Sequence, residues 1–199
     1  MRIVENTIEI IESRSETEPS KLVGYGAVFY DPSNSAATEY VMDVIGVGQV
    51  TERILPTAFD NSLRTEKELR YEHDRKFIID TTENTMQIEK DSKGIKVTST
   101  IDKTDPQYQT VVAKIKNKIS RGMSFGFNET RTKDKWEQTH TGYIRYLVDI
   151  DCHEFSIVRN PAYTATNNGL RNSERSEDIY KAFEKYRTEE IKNRYKGTI

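Results

Sequence analysis

The sequence predicts a mainly β fold with peripheral helices: a closed or nearly closed antiparallel barrel with a few helices packed outside it. Three observations point there. Apolar and polar residues alternate over many short runs, which is the period of a half-buried strand. Two of these runs, within residues 84–102, are joined by a four-residue turn ending in glycine, a familiar hairpin connection. Glycines also fall inside or beside other runs, where bends and bulges let a sheet curve.

Taken in order, residues 1–11 alternate loosely (Ile3, then Ile8 and Ile10) and predict an opening strand. The polar stretch 12–20, with Pro19, reads as a loop. Residues 21–30 read as a strand whose Gly24 and Gly26 predict a bulge or a close backbone approach. Asp31-Pro32-Ser33-Asn34-Ser35 is a turn, and the polar tract continues as a loop to Glu39. Residues 40–50 suit an edge-like or bulged strand, broken by Gly46 and Gly48. The second half of 51–63 looks helical, with Pro56 in a first turn and Phe59 and Leu63 four apart. Short strands follow at 69–74 and 77–79. The hairpin comes next, with Met86 and Ile88 before Asp91-Ser92-Lys93-Gly94 and Ile95, Val97, Ser99 and Ile101 after it.

Residues 105–121 predict a helix. Asp105 and Pro106 start it, Tyr108, Val111, Val112, Ile115 and Ile119 form its stripe, and Gly122 stops it. Residues 122–127 alternate as a strand, 130–141 are polar and read as a loop, and 142–158 give two short strands or one bent one. Asn160-Pro161-Ala162-Tyr163 closes the sheet region. The expected organisation is a body over 1–166, a polar linker over 167–175 and a C-terminal amphipathic helix over 176–199. That helix has Ile179, Phe183, Tyr186 and Ile191 on a partial apolar face, with acidic residues first and basic residues last. From Leu170 onward eight Lys and Arg face six Asp and Glu, a balance of +2 in a chain of net charge −2, so this tail suits docking on its own body or on a partner.

Composition narrows the function. A net charge of −2, with no dispersed set of arginines, argues against direct nucleic-acid binding. The single cysteine, Cys152, rules out an intrachain disulfide framework and fits a reducing compartment. No apolar run approaches a membrane span and the N-terminus lacks a secretory core, so the expected place of work is inside a cell or something assembled there.

The candidate chemistry centres on Arg121-Gly122-Met123-Ser124-Phe125-Gly126-Phe127. In a strand Met123, Phe125 and Phe127 point one way and Ser124 the other. That holds a hydroxyl beside tight backbone, which suits a nucleophile and equally suits a core strand with a serine on its wet face. Of the three histidines, His73 lies at the exit of a short strand, where it suits a general base or a surface position beside acidic neighbours. Glu154 lies in Cys152-His153-Glu154-Phe155-Ser156-Ile157-Val158; regular alternation puts Cys152, Glu154 and Ser156 on one face and His153 and Phe155 on the other. A carboxylate on the face of a core strand needs a partner, and His73 would serve. Cys152 as a nucleophile and a zinc site are weaker readings: His153 points away from the thiol, and no ligand pair has zinc-site spacing. No phosphate-binding or dinucleotide-binding glycine motif is present, and no cofactor is expected.

Several pieces together carry a resemblance. They are Gly24-Tyr25-Gly26-Ala27-Val28-Phe29, Ile54-Leu55-Pro56-Thr57-Ala58-Phe59, Glu72-His73-Asp74, Asp91-Ser92-Lys93-Gly94-Ile95, the Ser124 run, and Glu154-Phe155-Ser156-Ile157-Val158 with Pro161-Ala162. In this order, across residues 21–163, they resemble the tailed-bacteriophage prohead (capsid maturation) serine protease family, and distantly the herpesvirus maturation proteases. The chain departs from the family at Thr57, where glycine is usual.

The resemblance implies a barrel of the viral capsid maturation protease type and a serine endopeptidase with His73, Ser124 and Glu154 as its triad. His153 is a minor rival for the third role, because the herpesvirus enzymes place a second histidine there. It implies substrates among the major capsid protein and the scaffolding protein or scaffold segment. It places the enzyme in the host cell cytoplasm, inside the immature prohead, and leaves a homodimer open. The alternative is a catalytically idle protease-like module that docks on capsid or scaffold. Candidate oxyanion donors are backbone N–H groups near 121–124 or around Arg159 and Asn160, with the Arg159 side chain or a water in support.

Overall fold

The computed structural model describes residues 8–13, 19–161 and 172–196, and they form three open four-stranded sheets with helices against them. The first sheet is wholly antiparallel, in the order β1 (Ile8–Ile11), β2 (Lys21–Val28), β8 (Gly94–Thr100), β7 (Gln87–Lys90). The second runs β10 (Lys133–Gln138), β11 (Gly142–Asp149), β4 (Gly48–Ile54), β3 (Glu39–Val44), with β11 and β4 parallel. The third runs β6 (Ile78–Thr81), β5 (Glu68–Tyr71), β12 (Cys152–Val158), β9 (Gly122–Phe127), with β12 parallel to β5 and antiparallel to β9.

The expected antiparallel barrel is therefore wrong: among the described residues no sheet closes, and two strand pairs are parallel. The reason lies between the first and third sheets. β2 comes close to β9 but shares no ladder with it. Gly24 and Gly26 instead face the apolar side of the third sheet. A β-carbon on Gly24 would stand 2.6 Å from Met123 Sδ, and one on Gly26 would overlap the Phe155 ring. Absent side chains let two sheets stack more closely than usual. The glycines thus permit the close approach expected of them, and the β2–β8 register also shifts between Tyr25 and Ala27. Alternation marks a buried face, but it does not say which strand lies beside it.

Other elements differ locally. The expected helix in 51–63 is a series of turns followed by one 3₁₀ turn, Ser62–Arg64. Ala58 and Phe59 are fully buried there, and the Ala58 carbonyl accepts the Ile150 N–H at 2.7 Å, so it is not available to a helix ladder. The loop expected at 31–39 contains a short helix, α1 (Ser35–Thr38), and 40–50 breaks into the β3–β4 hairpin. The polar stretch 130–141 contains the edge strand β10. Its Asp134 bonds Arg145 Nε at 2.7 Å, so its alternation is ionic rather than apolar. The 87–100 hairpin forms as expected, closed by the Asp91 N–H to Gly94 carbonyl bond at 3.0 Å.

Helix α2 (Pro106–Lys116) is capped by Asp105, whose side chain accepts from Gln107 N–H at 2.7 Å. It ends earlier than expected. Ile119 and Ser120 N–H both reach back to the Lys114 carbonyl, with Lys118 at φ +56°. This is a Schellman-like closure with lysine where glycine is usual.

The main core gathers Phe59, Leu69, Ile95, Val97, Met123, Phe125, Phe155 and Ile157 between the first and third sheets. A second, smaller core joins Met42, Val44 and Val50 to Ile179 of α3 (Asn172–Lys196). The C-terminal helix begins at Asn172, four residues before the expected 176, and docks on its own body. Phe183 lies 4.6 Å from Tyr143 and 5.4 Å from Trp136, between ring centroids. Residues 1–7 of the expected first strand, 14–18 of the first loop, the expected closing residues Ala162 and Tyr163, and 167–171 of the expected linker lie outside the described residues.

Candidate active site

The site lies on the face of the third sheet opposite the core. Met123 and Phe125 are buried in that core, so strand alternation turns Ser124 to the other side, as the sequence suggests. β9 and β12 set Ser124 opposite Ser156, Phe125 opposite Phe155 and Gly126 opposite Glu154. Directly opposed residues have β-carbons about 5 Å apart.

The register then shifts between Cys152 and Glu154, leaving His153 as an extra residue in a bulge. This corrects the expected faces. Cys152 pairs with Phe127 and sits in the core, whereas Glu154 and Ser156 face the site. Burial pushes the Cys152 thiol well above its ordinary range, reinforced by the nearby Glu154 carboxylate, so this sulfur is a poor source of thiolate. His153 is exposed, and its pKa is lowered by partial desolvation, then by the nearby Arg70 and Arg75 cations, against the opposing pull of Glu154.

Glu154, only 1% exposed, is the side chain that meets His73. Its Oε1 lies 2.6 Å from His73 Nδ1. The other oxygen accepts the Ser156 hydroxyl proton at 2.7 Å, and Ser156 Oγ in turn accepts the His73 backbone N–H at 3.1 Å. His73 is delivered by a tight turn after β5. Glu72 and His73 hold φ of +53° and +60°, uncommon for residues with a β-carbon. The turn is pinned at both ends of Glu72 to β12 and the residue just after it: its N–H donates to the Ile157 carbonyl at 3.0 Å, and its Oε1 accepts the Arg159 N–H at 2.5 Å. A third bond, Asp74 N–H to Tyr71 carbonyl at 3.0 Å, closes it.

The structure thus joins His73 to Glu154 directly and brings Ser124 to the adjacent strand, opposite the serine that holds the His73 N–H. Ser124 Oγ and His73 Nε2 make no hydrogen bond among the described residues, to each other or elsewhere, and Ser124 is 8% exposed. Two expected oxyanion donors are committed: Arg121 N–H bonds the Val158 carbonyl at 3.0 Å, and Arg159 N–H bonds Glu72. Sequence reasoning missed Ser156. Its only signal was that it shares Glu154's strand face two residues on. Gly126 was noticed only as a tight spot beside Ser124; its pairing with Glu154 depends on the register.

A family model for caudovirus prohead serine proteases matches residues 7–180. The chain belongs to that family. It is a serine endopeptidase of prohead maturation, and the match takes in all three sheets and the first turns of α3. No curated protein and no solved structure matches the chain. On the face of the third sheet away from the core, this family member thus carries a hydroxyl at Ser124, an imidazole at His73 and a buried carboxylate at Glu154, the last two hydrogen-bonded to each other.

Proposed function

We propose that Ser124 is the nucleophile, His73 the general base and acid, and Glu154 the group that orients the imidazole. The observation that carries this reading is the 2.6 Å Glu154 Oε1 to His73 Nδ1 contact on the sheet face where Ser124 stands. With Nδ1–H donated to the carboxylate, Nε2 is the nitrogen left to accept a proton. Ser124 Oγ attacks the scissile carbonyl as its proton passes to Nε2. The imidazolium, stabilised by the ionised carboxylate, then protonates the departing amine. Water hydrolyses the acyl-enzyme by the same route in reverse order. The relay in this reading requires the unbonded Ser124 hydroxyl to reach Nε2 when substrate is bound; such bonds commonly tighten only then.

The substrates in this reading are the scaffolding protein, or a scaffold-like segment of the major capsid protein, cut inside the immature prohead. Confinement with substrate raises its effective concentration, so modest intrinsic affinity suffices. Removing scaffold covalently makes the next assembly step irreversible. The test is co-expression of capsid and scaffold proteins with wild type, Ser124→Ala, His73→Ala or Glu154→Gln. Cleavage by wild type alone is expected. Cleavage that persists undiminished in Ser124→Ala would overturn the assignment.

A further inference from the structure

We propose that Ser156 is a positioning residue of this site: its hydroxyl locks the Glu154 carboxylate and the His73 backbone to each other and thereby sets the imidazole that serves Ser124. The inference rests on the roles proposed above for Ser124, His73 and Glu154.

Ser156 is fully buried and has one proton to give. That proton goes to Glu154 Oε2 at 2.7 Å, and the oxygen accepts the His73 N–H at 3.1 Å. Three consequences follow. The two carboxylate oxygens are divided, Oε2 to Ser156 and Oε1 to the ring, so the carboxylate cannot rotate without breaking a bond. The His73 backbone, held at φ +60° directly after Glu72 at +53°, has its N–H satisfied only in this pose. And Ser156, although it is a buried serine near the same histidine, is unsuited as the nucleophile. Its proton is committed to the acid and its acceptor side to the histidine's own backbone, whereas the Ser124 hydroxyl is uncommitted. The sheet builds this coincidence: Glu154 and Ser156 are two apart on β12, and Glu72 N–H to Ile157 carbonyl brings the turn alongside.

The experiment compares wild type, Ser156→Ala, Ser156→Thr, Glu154→Ala and the double variant Ser156→Ala/Glu154→Ala. The probe is a fluorophosphonate, whose rate of covalent labelling of Ser124 is followed from acid to neutral pH, with Ser124→Ala as blank. The second readout is the downfield proton resonance of the His73 Nδ1–H···Glu154 bond.

Ser156→Ala is expected to slow labelling by about 100-fold, as for misplacement of a catalytic group by ~1 Å, and to broaden or abolish the resonance. Ser156→Thr, which keeps the hydroxyl, is expected to recover most of both. In the Glu154→Ala background the same serine change is expected to have less than about a 3-fold effect, because groups acting as one unit are non-additive. Equal losses in both backgrounds, or wild-type labelling and resonance in Ser156→Ala, would overturn the proposal. If wild type is not labelled at Ser124 at all, the triad assignment fails. The resonance still decides the positioning role: its loss in Ser156→Ala supports the lock and its persistence sinks it.

Discussion

The Glu154 carboxylate occupies the space that a β-carbon on Gly126 would need. Built onto Gly126, that carbon would overlap Oε1 and stand 2.9 Å from Cδ, closer than real β-carbons come to other atoms. Oε1 is the oxygen that meets His73 Nδ1. The glycine two residues after Ser124 thus makes room, across the ladder, for the Glu154 carboxylate. Gly126→Ala is expected to push the carboxylate off its bond with the imidazole and to lower kcat by about 100-fold with a smaller change in KM, the usual penalty for ~1 Å of misplacement. Steady-state kinetics on a cleaved peptide check this; an unchanged kcat would mean that the carboxylate position is not critical.

Acid sensitivity should originate elsewhere, at Asp80. Its carboxylate is 3% exposed and accepts hydrogen bonds from Ser99, Thr85 Oγ1 and N–H, Thr81 N–H and Asn84, with Tyr108 at 3.2 Å. Burial pushes its pKa up, but the hydrogen bonds from Ser99, Thr85 and Thr81 outweigh burial and hold it below the ordinary value of 3.8. A depressed carboxylate pKa adds stability that is complete above the unfolded value, about 3.9, and is lost as pH falls through the lower folded value. Asp80→Asn removes the charge and turns one acceptor into a donor facing hydroxyls. It is expected to cost about 2 kcal/mol at neutral pH. It should also flatten the acid limb of the stability curve. Denaturant melts of both proteins between pH 3 and 7 measure this; parallel curves would refute it.

These relationships show what a sequence carries and what it omits. The Ser124 face, the 87–100 hairpin and the cap at Asp105 follow from local period and local hydrogen bonding, so they were legible. The barrel was not, because whether β9 pairs with β2 or lies against it depends on two glycines and on partners far away in the chain. Strand parity failed at Cys152 because one bulged residue, His153, reverses every face before it. The charged strand β10 escaped notice because its Asp134 serves the buried Arg145, which also pairs with Glu52 and Glu129, and its one apolar residue, Trp136, packs against Phe183 of α3, so no apolar alternation marks it.

The second core predicts separable behaviour for α3. Phe183 is 5% exposed and contacts Trp136, Tyr143 and Tyr186, all on the second sheet or on α3 itself, away from the third sheet. Phe183→Ala is expected to weaken docking of the helix by about 3–5 kcal/mol. The expected signs are faster hydrogen exchange across 176–194 and altered fluorescence of Trp136, the single tryptophan. Ser124 labelling should stay within about 3-fold of wild type, because additivity holds between distant sites. A matching loss of labelling would show that the helix supports the site.

Lys118 offers a stabilising change. It is exposed, sits at φ +56° and closes α2 through its N–H to the Ile115 carbonyl at 2.9 Å. A side chain in the left-handed region costs about 1–2 kcal/mol, which glycine avoids. Glycine also makes the unfolded chain more flexible, which takes back about 0.5–1 kcal/mol. The difference favours Lys118→Gly by up to about 1.5 kcal/mol, and the closing bond is kept because it uses backbone alone. A higher Tm with unchanged Ser124 labelling is the expected result. A lower Tm would mean that the lysine side chain contributes more at the helix C-terminus, where cations are favoured, than its backbone strain costs.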